Sequence, residues 1–96
     1  MTATLEQTAP GTYRLVGSVL LTEGLGDLPL APLELHDGLA TIDMEGIRAA
    51  DSLLLAVLLE WDEHARARGG SIRLIGASPR LHALVRVTGL GQLFSM

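Results

Sequence analysis

One stretch, Leu39 to Arg68, leaves this chain little freedom in how it folds: L-A-T-I-D-M-E-G-I-R-A-A-D-S-L-L-L-A-V-L-L-E-W-D-E-H-A-R-A-R. Leu39-Ala40-Thr41-Ile42 is a short, mostly apolar run with two β-branched members, which suits a strand inside a sheet. Asp43 and Gly46 interrupt it. Asp51-Ser52 then stand directly before an unbroken apolar run, Leu53 to Leu59. Short polar side chains in that position accept hydrogen bonds from the unpaired N–H groups of a first helical turn. The stretch therefore reads as a buried strand, a short turn and one long helix from about Ser52 to Arg68. Gly69-Gly70 close that helix as a C-terminal cap, and Arg66 and Arg68 in its last turn complement its dipole. An acid and a hydroxyl thus stand at the start of the main helix. A functional site is expected at that junction.

At about 100° per residue, Leu54, Leu58, Trp61 and Ala65 share one line of the helix, flanked by Leu55. That line is the expected core face. Leu53 and Val57 fall to one side of it, next to Glu60 and His64, so the start of the helix is more apolar than packing on one sheet requires.

The flanking segments complete an alternating pattern. Residues 1–11 read as a flexible lead-in ending at Pro10-Gly11. Thr12 to Leu21 is β-rich, with strands around Tyr13-Leu15-Val16 and Ser18 to Leu21; Gly17 marks a bend or bulge, so the two form a hairpin or one bent strand. Thr22 to Leu35 has roughly helical spacing at Leu25, Leu28 and Leu33, but Gly24, Gly26, Pro29 and Pro32 oppose regular helix, so a short or broken helix is expected. His36-Asp37-Gly38 signals a turn. Ser71 to Ile75 alternates as a strand. Ser78-Pro79 opens a second helix, Arg80 to Val87, with Leu81, Leu84, Val85 and Thr88 inward, and Leu93-Phe94 suggests a last edge strand. Strands alternating with helices predict one small α/β domain over residues 12–96, a mixed β-sheet with helices packed mainly on one face.

Composition narrows the function classes. In 96 residues with 48% hydrophobic and 3% aromatic content, one core must be built from Leu, Val, Ile and Ala. No cysteine is present, which removes disulfides, thiolate metal sites and a cysteine nucleophile. The net charge of -4 argues against nucleic acid as a partner. All eleven acids lie at or before Glu63, whereas Arg66, Arg68, Arg73, Arg80 and Arg86 follow it, a polarity that could orient a protein partner or simply be solvated. The start of the chain lacks the basic and apolar regions of a secretory signal. Leu53 to Leu59 is far short of the roughly 18 residues that cross a bilayer. A cytoplasmic protein without direct membrane insertion is expected.

The titratable side chains do not converge on chemistry. His36, His64 and His82 have no metal-binding spacing, and Gly24-Leu25-Gly26-Asp27 lacks the glycines and lysine of a phosphate loop. Asp51, Ser52 and His64 suggest a triad only on paper, because Ser52 and His64 are three turns apart on one helix. No enzymatic activity, cofactor or metal is expected. Asp51-Ser52 remains a helix cap, or a hydroxyl open to phosphorylation or to a partner.

The segment Asp43 to Leu55 resembles the signature of STAS domains, the small domains of anti-sigma-factor antagonists and of the C-terminal regions of anion transporters. Their pattern is roughly Asp-Leu-Ser-Gly-Val, a short spacer, then Asp-Ser-Ser-Gly-Leu and a long helix. Asp43, Gly46, Ile47, Asp51, Ser52 and Leu55 match it in order and spacing. Gly17, Gly69-Gly70 before Ile72 to Ile75, and Leu84 to Leu90 resemble further family features, so the likeness spans about Thr12 to Phe94. Leu53 departs from it, standing where the antagonists carry the hydroxyl that a kinase phosphorylates. Leu54 replaces the following glycine. The departure resembles the MlaB-like branch, stand-alone STAS subunits of a bacterial ABC system that moves phospholipids between membranes. That resemblance implies a non-catalytic accessory subunit, held in the cytoplasm at the inner membrane through a transporter complex that maintains outer-membrane lipid asymmetry. It implies contact with the ABC ATPase subunit through Asp51, Ser52, Leu53, Leu54 and Val57, with Thr22 beside them. The alternative implied is an anti-sigma-factor antagonist in a kinase-controlled switch, phosphorylated at Ser52. A homodimer stays as open as a heteromer.

Overall fold

A computed structural model describes residues 2–89 and 94. The elements run β1 (Thr4–Ala9), β2 (Thr12–Val19), β3 (Leu39–Ala50), α1 (Ser52–Ala67), β4 (Ser71–Ile75) and α2 (Pro79–Val87). The four strands form one mixed sheet in the order β1-β2-β3-β4. β1 and β2 are antiparallel, while β2 with β3 and β3 with β4 are parallel. The α/β fold expected from the alternating pattern is therefore present.

The N-terminal segment departs from expectation. Residues 4–9, within the stretch read as a flexible lead-in, form β1 and pair with β2 from Thr4↔Val16 to Ala9↔Thr12. Pro10-Gly11 is the hairpin turn between them, with Gly11 at φ 68°. β1 is exposed along nearly its whole length, so its sequence carries no apolar alternation to announce a strand. Backbone pairing alone places it.

β2 is a single strand, which settles the choice left by Gly17 in favour of one bent strand. Gly17 sits at φ 109°, and a Cβ there would come within 2.8 Å of the Thr2 carbonyl oxygen. Both the positive φ and the close approach require glycine. Along β2 and β4 the core-facing residues alternate with exposed ones: Tyr13 and Leu15 face inward, as do Ile72 and Leu74, whereas Arg14 and Arg73 face water. One face of the sheet is thus solvated, as in sheets covered on a single side.

No helix forms between Thr22 and Leu35; the segment is irregular, with turns at its start and around Gly26-Asp27. Gly24 and Gly26 both take positive φ, and Pro29 and Pro32 lack N–H donors, so the helical spacing of its leucines is overruled. The loop is held from outside. Leu28 and Leu33 are buried, Trp61 Nε1 donates to the Pro29 carbonyl at 3.0 Å, and Arg68 Nη2 donates to the Leu33 carbonyl at 2.6 Å. The Glu34 N–H donates to the Tyr13 hydroxyl at 2.7 Å. Tyr13→Phe is expected to cost about 0.5–1.5 kcal/mol by removing that acceptor, read as a lower urea midpoint with unchanged slope. His36-Asp37-Gly38 makes the expected turn, with Asp37 and Gly38 both at positive φ.

α1 lies over the core. Leu54, Leu58, Trp61 and Ala65 are fully buried, as its angular pattern predicts. Val57 is buried as well, at 1% exposure, which corrects its expected place beside the core. The loop that bonds to Trp61 and Arg68 adds Leu28 and Leu33 to the same core cluster as Val57, so the core is built from more than the sheet and one line of the helix. Gly69 at φ 76° and the Gly70 N–H bonded to the Ala65 carbonyl close α1 as expected. On α2, Ser78 caps and Pro79 opens the helix, with Leu81 and Val85 buried. Thr88, expected inward, is instead the exposed C-cap, its hydroxyl donating to the Val85 carbonyl at 2.8 Å. The edge strand expected at Leu93-Phe94 lies outside the described residues, apart from Phe94, which is buried.

Candidate functional site

The expected turn between strand and main helix does not exist. β3 continues through Gly46 to Ala50, its irregularities absorbed by register shifts against β2 between Arg14/Val16 and Gly17/Ser18. Asp51 alone joins Ala50 to Ser52. Its N–H donates to the Val19 carbonyl at 3.1 Å, and its Oδ1 accepts from the Leu53 N–H at 3.0 Å as the N-cap of α1. The same carboxylate accepts from the Leu21 N–H, at 3.0 Å and 3.2 Å to its two oxygens. One side chain therefore ties the end of β2 to the start of α1.

The remaining predicted site residues separate into surface and core. Ser52 is exposed, and its hydroxyl has no hydrogen-bond partner among the described residues. Leu53 is half-buried and packs against the core cluster. Thr22 is exposed in the turn that follows β2, where the Glu23 and Gly24 N–H groups both donate to the Leu20 carbonyl. Leu54 and Val57 are 0% and 1% exposed, so neither presents a surface. Both were expected at the interface. They are core.

Two surface residues went unread in the sequence. Leu21, assigned above to a strand, is 65% exposed beside Asp51, and Leu59 is 37% exposed on the outer side of α1. With Ser52, Leu53 and Ala56 they give the first half of α1 an apolar outer surface. Leu21 could have been flagged as the third apolar residue of a run ending at a Thr-Glu-Gly turn. A cleft of about 540 Å³ opens on the other side of the junction, between the end of β3 and α2.

The triad that Asp51, Ser52 and His64 suggest on paper is not assembled. Ser52 and His64 are separated by about 18 Å of helix, and His64 instead lies 3.4 Å from Glu60. Among the described residues no group of three or more His, Asp or Glu side chains is placed to hold a metal ion. Nor is any described helix long and apolar enough to cross a membrane. What the junction offers is a rigid backbone corner, one free hydroxyl and apolar side chains around it.

A family profile described as MlaB, STAS domain, matches residues 7–95. The chain belongs to the MlaB-like STAS family. The STAS fold is also seen in a solved structure of similar shape, that of the anti-sigma factor antagonist SpoIIAA in its unphosphorylated form. The likeness has a TM-score of 0.65 at 14% identity and covers 97% of this chain and 85% of that one. No curated protein matches the chain. STAS domains typically engage protein partners, and in this one the Asp-Ser of the family pattern falls at the β3–α1 corner.

Proposed function

We propose that this STAS domain is a non-catalytic accessory subunit that binds and supports the cytoplasmic ATPase of a phospholipid ABC transporter maintaining outer-membrane lipid asymmetry. Leu53 carries the reading: it stands, half-buried, where a switching antagonist needs a hydroxyl. A leucine there suits a lasting apolar contact, and the membership in the MlaB-like family supports the same choice. The contact surface is Asp51, Ser52 and Leu53 with Thr22 and the exposed Leu21, and the protein is held at the inner membrane through its partner. Burying what remains exposed of Leu53 and Leu21 would contribute, for each, less than the roughly 1.5–3 kcal/mol of a leucine taken wholly from water.

Co-purification with the ATPase subunit tests this. Leu53→Glu is expected to reduce recovery at least roughly tenfold. Because Leu53 also touches the core, Leu21→Glu serves as a second variant whose side chain is already 65% exposed, so its fold is undisturbed. Full recovery with both variants would overturn the proposed surface.

One observation favours a second reading, an anti-sigma-factor antagonist. The Ser52 hydroxyl is exposed and unbonded, open to a kinase, on a fold shared with SpoIIAA. Intact-mass measurement after incubation with ATP and a cognate kinase distinguishes the two: a gain of one phosphate, lost in Ser52→Ala, selects the antagonist.

A further inference from the structure

β3 is longer than the strand beside it. β4 pairs with Leu39 to Asp43 and then leaves the sheet at Gly76, so the end of β3 has a neighbour only on the β2 side among the described residues. The Glu45 N–H is occupied by Asp43 Oδ1 at 2.9 Å. From Gly46 to Ala50 the edge away from β2 carries no described strand, a length of about 17 Å at the rise of a strand. Open edges are templates for pairing, and proteins usually cover or charge them.

α2 does not cover this edge. The cleft of about 540 Å³ lies between them, lined on one side by Ile47 and Ala50 and on the other by Leu84 and Val87, the last 81% exposed. Its charged lining is mainly positive. Arg48 and Arg80 are exposed and have no ion pair with any described residue. The carboxylate that lines it, Asp51, is already bonded to the Leu21 and Leu53 N–H groups.

We propose that this cleft receives an extended, acidic and apolar segment of a protein partner, added to the edge of β3 as a further strand. Main-chain bonds to Gly46–Ala50 supply the pairing. Alternate side chains enter the apolar space toward Leu84 and Val87, and acidic ones meet Arg48 and Arg80. A helix laid in the same cleft has its own main-chain groups bonded internally and would leave the strand edge unpaired. The inference rests on the reading that the β3–α1 corner meets a protein, since the cleft is continuous with Asp51 and Ser52.

The probe is an alternating Glu–Val hexapeptide titrated into the isotope-labelled protein and followed by amide NMR. Saturable shifts concentrated on residues 46–50 and α2, at a Kd of about 1 mM, are expected. The double variant Arg48→Glu/Arg80→Glu should weaken binding at least about tenfold, and both side chains are exposed, so the fold is retained. A version of the peptide N-methylated at alternate amides should not bind. The proposal is overturned if the N-methylated or an alternating Lys–Val peptide binds equally, if shifts never appear, or if anionic phospholipid vesicles rather than peptide perturb these residues. Leu21→Glu reports on the ATPase contact and leaves this titration unchanged, so the two readings fail separately.

Discussion

Trp61→Ala is expected to cost about 3–5 kcal/mol, the usual range for emptying a buried aromatic site. Trp61 is 0% exposed and is the one tryptophan of the chain. Its effect reaches further than its volume, because the indole N–H donates to the Pro29 carbonyl and so holds the long loop between β2 and β3 against α1. The loss is a large part of the 5–15 kcal/mol that stabilises a typical domain. Urea unfolding followed by circular dichroism should show it, since the substitution removes the fluorescent probe. Trp61→Phe separates the two contributions. It keeps most of the packing and drops the hydrogen bond, and it is expected to lose roughly 1–2 kcal/mol. Equal losses for both variants would show that the loop bond, not the packing, dominates.

Asp51→Ala is the second large effect, expected at about 2–3 kcal/mol. About 1 kcal/mol of this is the lost N-cap of α1. The rest is the charge-assisted bond to the Leu21 N–H, which then has no partner. Asp51→Asn retains an acceptor for Leu53 and should lose less than half as much. The loop from Leu20 to Gly24 is the place to look for the difference. In Asp51→Ala its amides should exchange with solvent faster than in Asp51→Asn. If Asp51 acts only as a cap, the loop amides will be equally protected in both variants.

The residues most readable in the sequence were those whose partners lie close along the chain. Asp51 and Ser78 were legible as caps because each bonds an N–H two or three residues on. Gly69 was legible because a positive φ at a helix end is a local demand. The core line through Leu54, Leu58, Trp61 and Ala65 followed from helical period alone. The family resemblance was carried by the same local segment, Asp43 to Leu55, now matched by the profile over residues 7–95.

What escaped depends on neighbours distant in sequence. β1 has no apolar alternation and exists because β2 offers it an edge. The leucines of the segment after β2 kept helical spacing, yet Pro29 and Leu33 serve as acceptors for side chains of α1 instead. Val57 looked like surface because helical angle alone does not show how wide a stripe the rest of the fold will bury.

The sequence by itself thus determined the start of α1, its cap and its core line, since a cap and a helical face are set by bonds and angles spanning a few residues. The run of β3 on to Ala50 in place of the expected turn depends instead on pairing with β2. Only the tertiary structure decided how much of the β3–α1 corner is available to a partner. It withdrew Val57 into the core, brought Leu21 beside Asp51, and left the end of β3 paired with β2 but with no described strand on its α2 side. Those outcomes are set by packing and strand pairing between segments far apart in the chain, which local pattern does not encode.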